Sequence, residues 1–228
     1  MTMPQISDET TAQAKSFIDR NFDNFLDELI SLAKIPGIAW EAFDAQELER
    51  SAQSVAQLFR ATEVFEFVEI RKSHIDGKPG APAVIAKRAA KNGKPQILLY
   101  AHHDVQPPGD EQAWQTQPFE PTLKGTRLYG RGAADDKAGI ITHLSAIQAL
   151  KDFAGADFDL GLTIFIEGEE EAGSPTFRNF LDENKHDLQA DVIIVADSGN
   201  WTVDVPALTT TLRGLVSQVI EVSTLDHA

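Results

Sequence analysis

The sequence predicts an α/β fold: a mixed, mostly parallel central sheet flanked by helices. Three observations lead there. The apolar runs Ile97 to Leu99 and Val192 to Val195 are uninterrupted, as in strands covered on both faces. Segments with apolar residues at helical spacing lie between such runs. At Val64 the pattern also changes, from helical spacing to short Val, Ile, Phe and Leu runs bounded by Gly and Pro.

In chain order, Ile18, Phe22, Phe25, Leu29 and Ala33 mark an amphipathic helix that Pro36-Gly37 ends. Asp44 with Glu47 three residues later reads as a capping box opening a second helix, with Leu48, Ala52, Val55 and Phe59 on one face. Strands are expected at Val64 to Ile70, Ala83 to Lys87, Gln96 to Ala101, Thr126 to Tyr129, Leu160 to Ile166, Val192 to Ala196 and Val216 to Val222. Two further helices run from about Lys137 to Lys151 and from about Pro175 to Asn184, the latter with Ser174 as N-cap. The strand at Val216 to Val222 alternates polar and apolar residues and is expected to begin a different layer or domain.

A chain of 228 residues, 42% of them hydrophobic, is long enough for one large domain with a core. Its formal charge of -15 opposes a nucleic-acid or anionic-membrane partner, because phosphate binding needs the opposite field. With no Cys, a disulfide framework and a thiolate site are both excluded, so any metal must sit on His and carboxylates. Met1 to Thr11 is polar with no apolar signal core, and no run approaches bilayer-spanning length, so a cytoplasmic protein is expected.

Three apolar strands run directly into His or acidic residues: Tyr100-Ala101-His102-His103-Asp104, Ile166 to Glu171, and Ala196-Asp197-Ser198. Ligands of open α/β sheets bind beyond the carboxyl ends of strands, so these segments can converge. The Gly-rich segment Gly130 to Lys137, with Asp135 and Asp136 just before a helix, supplies a fourth contribution. Carboxylates gathered there repel one another unless protonated, solvated or bridged by cations. One imidazole among several carboxylates suits Zn or another borderline divalent ion, in a site that keeps water. Asp104 lies on the same side of the strand as His102 and can orient its imidazole; His103 does not share that side, which favours His102 as the ligand. Glu169 reads as a solvated neighbour, and His74, His143, His186 and His227 as surface or structural residues.

His102-His103-Asp104-Val105-Gln106-Pro107, the Gly130 to Lys137 segment, Glu167 to Ser174, and Asp197 followed by Trp201 resemble, in order and spacing, the successive signatures of the M20 peptidase family. The Tyr-x-His-x-Asp-Val-Gln-Pro and Asp-x-x-x-Trp forms are most similar to its dipeptidase branch, the relatives of carnosine and cysteinylglycine dipeptidases. The resemblance implies a zinc-exopeptidase-like catalytic domain with two Zn ions, Mn or Co being possible. His102 would bind one metal, Asp135 bridge both, Asp197 complete the first site and Glu171 belong to the second. Glu170 would be the general base and Asp104 the residue orienting His102. The choice of Asp135 over Asp136 rests on the resemblance alone. Two positions depart from the family pattern: His103, where Tyr or Leu is expected, and Ala138, where Gly is usual.

The implied activity is hydrolysis of amide bonds in dipeptides or short peptides. The alternatives are another amidohydrolase of that family, a deacylase or desuccinylase, or a noncatalytic metal-binding module. In that family a lid or dimerisation domain follows a segment like Leu212-Arg213-Gly214, so the expected division is a catalytic part at 1–212 and the start of a lid at 213–228. On this reading a further His ligand lies in an absent part, the chain alone has little activity, and the parent is a homodimer through its lid.

Overall fold

The computed structural model describes residues 8–225, which form two units: one through Asp197, and a short segment from Ser198 onward. The first unit opens with two helices, α1 (Asp8–Ala33) and α2 (Ala45–Ala61). Strand β1 (Phe67–Arg71), a small hairpin of β2 (His74–Ile75) and β3 (Lys78–Pro79), β4 (Ala83–Arg88) and β5 (Gln96–His102) follow. A second hairpin, β6 (Thr122–Lys124) with β7 (Arg127–Tyr129), precedes α3 (Lys137–Ala154) and β8 (Gly161–Glu167). The unit ends with α4 (Phe177–Glu183), α5 (Lys185–Leu188) and β9 (Val192–Val195).

The five-stranded sheet has the order β1-β4-β8-β5-β9. Pairing is antiparallel for β1 with β4 and β4 with β8, and parallel for β8 with β5 and β5 with β9. Four strands therefore run one way and β4 the other, the expected mixed, mostly parallel sheet. Alternate residues feed its two faces. Val84, Ala86, Leu99, Ala101, Ile164 and Ile166 pack with Phe25, Val55, Phe59, Ile140, Leu144 and Ile147 from α1, α2 and α3. Ala83, Ile85, Leu98 and Phe165 face α4, where Phe180 stacks on Phe165 at 5.2 Å between ring centroids.

At α2 the Asp44 carboxylate accepts from Gln46 N at 2.9 Å, so the N-cap forms. The capping box does not close, because the Glu47 carboxylate pairs with Arg50 instead. Helix α4 begins after Thr176 rather than Ser174; Ser174 has a positive φ of 51° and belongs to the preceding turn. Strand β9 forms where expected but is not covered on both faces. It is an edge strand, paired among the described residues with β5 alone, and its four residues are 45% to 63% exposed. The strand expected at Val216 to Val222 is absent: those residues are exposed and carry no ladder. Alternation specifies a buried face only where a neighbouring strand and a core receive it. The segment from Ser198, taken by itself, has one isolated bridge between Thr202 and Val205. His227 lies outside the described residues.

One buried charge bearer joins the helical layer to the sheet ends. Lys137, the first residue of α3, is fully buried and donates to the carbonyls of Leu32 (2.9 Å) and Ile35 (2.7 Å) where α1 ends. Burial pushes its ammonium down to about 7, and a neutral amine still has two N–H donors for the two carbonyls. Both carbonyls keep a backbone partner, in Ile35 N and Gly37 N. Replacing Lys137 with Met is therefore expected to cost about 1–3 kcal/mol in urea denaturation at neutral pH. The folded value is depressed, so the lysine's contribution is present above its unfolded value of 10.5 and is lost as pH falls through about 7. The stability gap between the native chain and Lys137→Met should accordingly widen from pH 7 towards 10.

Candidate metal centre

The parallel arrangement of β8, β5 and β9 places three carboxyl ends side by side, with His102 opposite Glu167 and Tyr100 opposite Val195. Backbone bonds continue past the strands: His103 N donates to Glu167 O (2.8 Å) and Ala196 N to Tyr100 O (2.9 Å). The chain segments 103–104, 168–171 and 196–197 consequently leave the sheet together. The N-terminus of α3 closes on them. Asp136, its N-cap residue, accepts from His102 N at 3.1 Å, and Gly139 packs so tightly that a Cβ there would lie 2.3 Å from both Ala196 O and Asp136 Oδ1.

His102 is fully buried at the middle of this arrangement. Its Nδ1 lies 3.1 Å from the carbonyl of Asp104 and 3.4 Å from the Asp104 carboxylate. Both are acceptors, so Nδ1 carries the proton and Nε2 is the atom turned to the acids. Around Nε2 stand Asp135 Oδ1 at 3.0 Å, Glu170 Oε2 at 3.8 Å and Asp197 Oδ2 at 3.8 Å. The peptide bond between Asp135 and Asp136 is cis. Asp104 also reaches beyond the imidazole, because its buried carboxylate accepts from the backbone N–H of Glu170 (3.2 Å) and of Glu171 (3.0 Å). Glu171 is held further by Gln106, whose Nε2 donates to Oε2 (2.6 Å) and to the carbonyl (3.1 Å), and by Trp40 Nε1, 3.2 Å from the same carbonyl.

Electrostatics reflect this crowding. Burial opposes a charge on His102, yet the Asp104 hydrogen bond and the charges of Asp104, Asp136 and Asp197 outweigh it and lift the imidazole to about 10. Asp136 is pushed up to about 7, first by burial, with Asp197 and Asp135 adding to the shift and His102 opposing it. Glu170 is also raised, by burial and by Asp197, Glu171 and Asp104, against the pull of His102. Two triplets bring their ligand atoms within 4.8 Å of one another: His102 with Asp135 and Glu171, and His102 with Asp136 and Asp197. A His-and-carboxylate donor set with no thiolate fits a borderline divalent cation. Among the described residues, the cationic partner of Asp135, Glu170 and Asp197 within ion-pair range is His102 alone.

All six residues singled out in the sequence, His102, Asp104, Asp135, Glu170, Glu171 and Asp197, converge here. His103 does not. It is buried away from the acids, donating through Nε2 to Pro82 O (2.7 Å) and accepting at Nδ1 from the Ser51 hydroxyl (3.1 Å), and burial holds it down at about 4. Nor is His143 free at a surface; it sits in α3 with Nε2 2.9 Å from Tyr100 O, a structural contact. Glu169 is a correction. Far from being solvated, it is 6% exposed and fully bonded to Thr176 and Ala81. Gln106 stood within a recognised motif but had no assigned part, and Trp40, 131 residues from Glu171, left no sequence signal.

Residues 98–223 match the family described as peptidase family M20/M25/M40. The chain belongs to that family. Among curated relatives it is 39% identical over 147 residues to a cysteinylglycine-S-conjugate dipeptidase of Corynebacterium striatum, a match covering 64% of this chain and 32% of the relative. It is 33% identical over 205 residues to a Cys-Gly metallodipeptidase of Schizosaccharomyces pombe, covering 87% and 43%. The chain thus spans less than half the length of these relatives. The structure of human carnosine dipeptidase 1 superimposes with a TM-score of 0.72 at 25% identity, over 83% of this chain and 41% of that one. The dipeptidase Dug1p of Saccharomyces cerevisiae shares the fold, with a TM-score of 0.71 at 20% identity.

The approach of strand ends that builds this candidate site is tightest at a glycine. At Gly168 a Cβ would lie 2.2 Å from Pro82 O and 2.8 Å from His103 Nε2. Gly168→Ala should break the His103–Pro82 bond and lower the unfolding free energy by about 1–3 kcal/mol. An unchanged denaturation midpoint would show that the loop relaxes without cost.

Proposed function

We propose that this chain carries the metal-binding and acid–base residues of a dinuclear, metal-dependent dipeptidase. The observation that bears most weight is that Asp135, Glu171 and Asp197 all fall into candidate ligand triplets around His102, whereas Glu170, 3.8 Å from His102 Nε2, falls into neither. In this reading His102 and Asp197 hold one ion, Glu171 holds the other, and Asp135 bridges them. Asp135 suits that part because its carboxylate is largely exposed and its Oδ1 already faces His102, whereas Asp136 spends an oxygen on the His102 backbone N–H. Zn is the ion this donor set favours, with Mn or Co as substitutes.

A bound pair of divalent ions would supply a polarised substrate carbonyl and a water acidified towards neutrality. The chain's own residues do the rest. Asp104 keeps His102 in the Nδ1–H tautomer, leaving Nε2 to ligate. Glu170, raised above an ordinary glutamate by burial and by its acidic neighbours, accepts a proton from water and returns it to the departing amine. Glu171 cannot share this cycle, because Gln106 and its ligand role fix its carboxylate. The dipeptide substrate class is supported by the names of the Corynebacterium and Schizosaccharomyces relatives. A second reading, hydrolysis of an N-succinyl amide, draws on 42% identity over 80 residues to the succinyl-diaminopimelate desuccinylase of Anaplasma marginale, a match covering 35% of this chain. The longer dipeptidase matches favour the first.

Two measurements test this assignment. Glu170→Gln is expected to leave metal content per chain, by elemental analysis, unchanged and to lower whatever dipeptide hydrolysis the chain shows by about 10²–10⁴-fold; loss of metal would make Glu170 a ligand instead. Without metal, His102 is held at about 10 and so is protonated at pH 7, whereas a metal takes only the deprotonated ring. Zinc affinity should therefore rise with pH from 7 towards 10. Titration calorimetry at pH 7 in buffers of different ionisation enthalpy should record net proton release, and none would contradict ligation by His102.

A further inference from the structure

The loop between β8 and α4 carries three consecutive glutamates in two different environments. Glu170 and Glu171 are partly exposed beside His102. Glu169 is buried, and its oxygens meet a different set of partners. Its Oε1 accepts from Thr176 N and from Thr176 Oγ1, both at 2.6 Å, and its Oε2 accepts from Ala81 N at 3.0 Å. Its carbonyl closes the same loop, taking the N–H of Ala172 (3.1 Å) and of Ser174 (2.9 Å). Space for the arrangement is reserved by Gly80, where a Cβ would lie 2.4 Å from Thr176 Oγ1 and 3.0 Å from Glu169 Oε2.

The two residues that follow are thereby gripped from opposite ends. Asp104 holds the N–H groups of Glu170 and Glu171 from the β5 side. Glu169 fastens the start of the turn to its end at Thr176 and to the segment leading into β4 at Ala81. A carboxylate accepting three donors in a dry place gives short, charge-assisted bonds, and these fix a backbone more firmly than neutral ones.

We infer that Glu169 is a positioning residue: by tying the β8–α4 loop to Thr176 and Ala81, it sets where Glu171 and Glu170 stand relative to His102. This rests on the proposed function, in which Glu171 serves one ion only and Glu170 is the base. The two ions should then respond differently to a change at Glu169. The ion held through Glu171 depends on the clamp, and the one held by His102 and Asp197 does not.

Glu169→Gln tests this, because an amide keeps one acceptor oxygen but turns an N–H donor towards either Thr176 or Ala81. Zinc titration of the whole chain should show one equivalent weakened about 10–100-fold, the usual effect of losing a group that supports a metal ligand, and the other unchanged. A metal-free readout accompanies it. Trp40 donates its indole N–H to the Glu171 carbonyl, so its indole cross-peak in a ¹H–¹⁵N spectrum, assigned with Trp40→Phe, should shift in Glu169→Gln. Thr176→Val removes the hydroxyl bond but keeps the backbone N–H, and should give a smaller change of the same kind. Unchanged zinc binding with an unmoved Trp40 signal would overturn the inference. So would equal weakening of both equivalents alongside a lowered denaturation midpoint, which would mark Glu169 as a general structural residue. If the unaltered chain binds no zinc, the proposed function fails, and the Trp40 signal alone decides whether the clamp positions the loop.

Discussion

Asp104 is the residue on which the candidate site turns. A carboxylate with no exposed surface costs several kcal/mol to bury unless its oxygens are satisfied, and here they are satisfied by the parts that must be brought together. One oxygen faces Nδ1 of His102, and the pair receives the backbone N–H groups of Glu170 and Glu171. The end of β5 and the loop after β8 are thus joined through a single charged group. The central strand supplies the imidazole, its neighbour supplies the acids, and the distance between them is set by hydrogen-bond lengths rather than by packing alone.

The same economy explains the charge balance. Asp135, Asp136, Glu170, Glu171 and Asp197 meet one imidazole. Burial first, with Asp197 and Asp135 adding to it, lifts Asp136 to about 7, and the Asp104 hydrogen bond and the surrounding acids lift His102 to about 10. A divalent ion bound there would compete with the protons these groups hold. Lys137, two residues past Asp135, makes no ion pair with these acids. Its amine is turned to the end of α1, which leaves the acids dependent on whatever binds between them.

Much of this was legible in the sequence, for identifiable reasons. Strands β4, β5 and β8 were readable because their apolar runs are long and bounded by polar turns; the rule that α/β sheets bind ligands beyond strand ends pointed to the segments holding His102, Asp104, Glu170, Glu171 and Asp197, while the roles of single acids, Asp135 among them, came from the family resemblance. The hairpin strands β2 and β3 were not, since two exposed residues carry no periodicity. Val192 to Val195 showed that a strand exists but not that it lies at an edge, because an apolar run reports hydrophobicity and not the presence of a covering layer. Val216 to Val222 displayed alternation without a ladder to use it. Glu169 was misread because an acidic triplet is usually solvated, and its partners are two backbone N–H groups and a hydroxyl, one of them 88 residues away. Main-chain donors leave no trace in residue types.

The edge position of β9 gives the cluster an uneven resistance to fluctuation. Asp197 lies two residues beyond a strand that has, among the described residues, one neighbour and half-exposed side chains, whereas His102 ends a strand flanked on both sides. Sheet edges open with smaller free energies than sheet centres. Fraying therefore removes an acid while the imidazole and the β8 loop stay in place. In a cluster built across such a gradient, Asp197 is the acid held least firmly by the sheet. The intact cluster consequently depends on β9 being docked against β5.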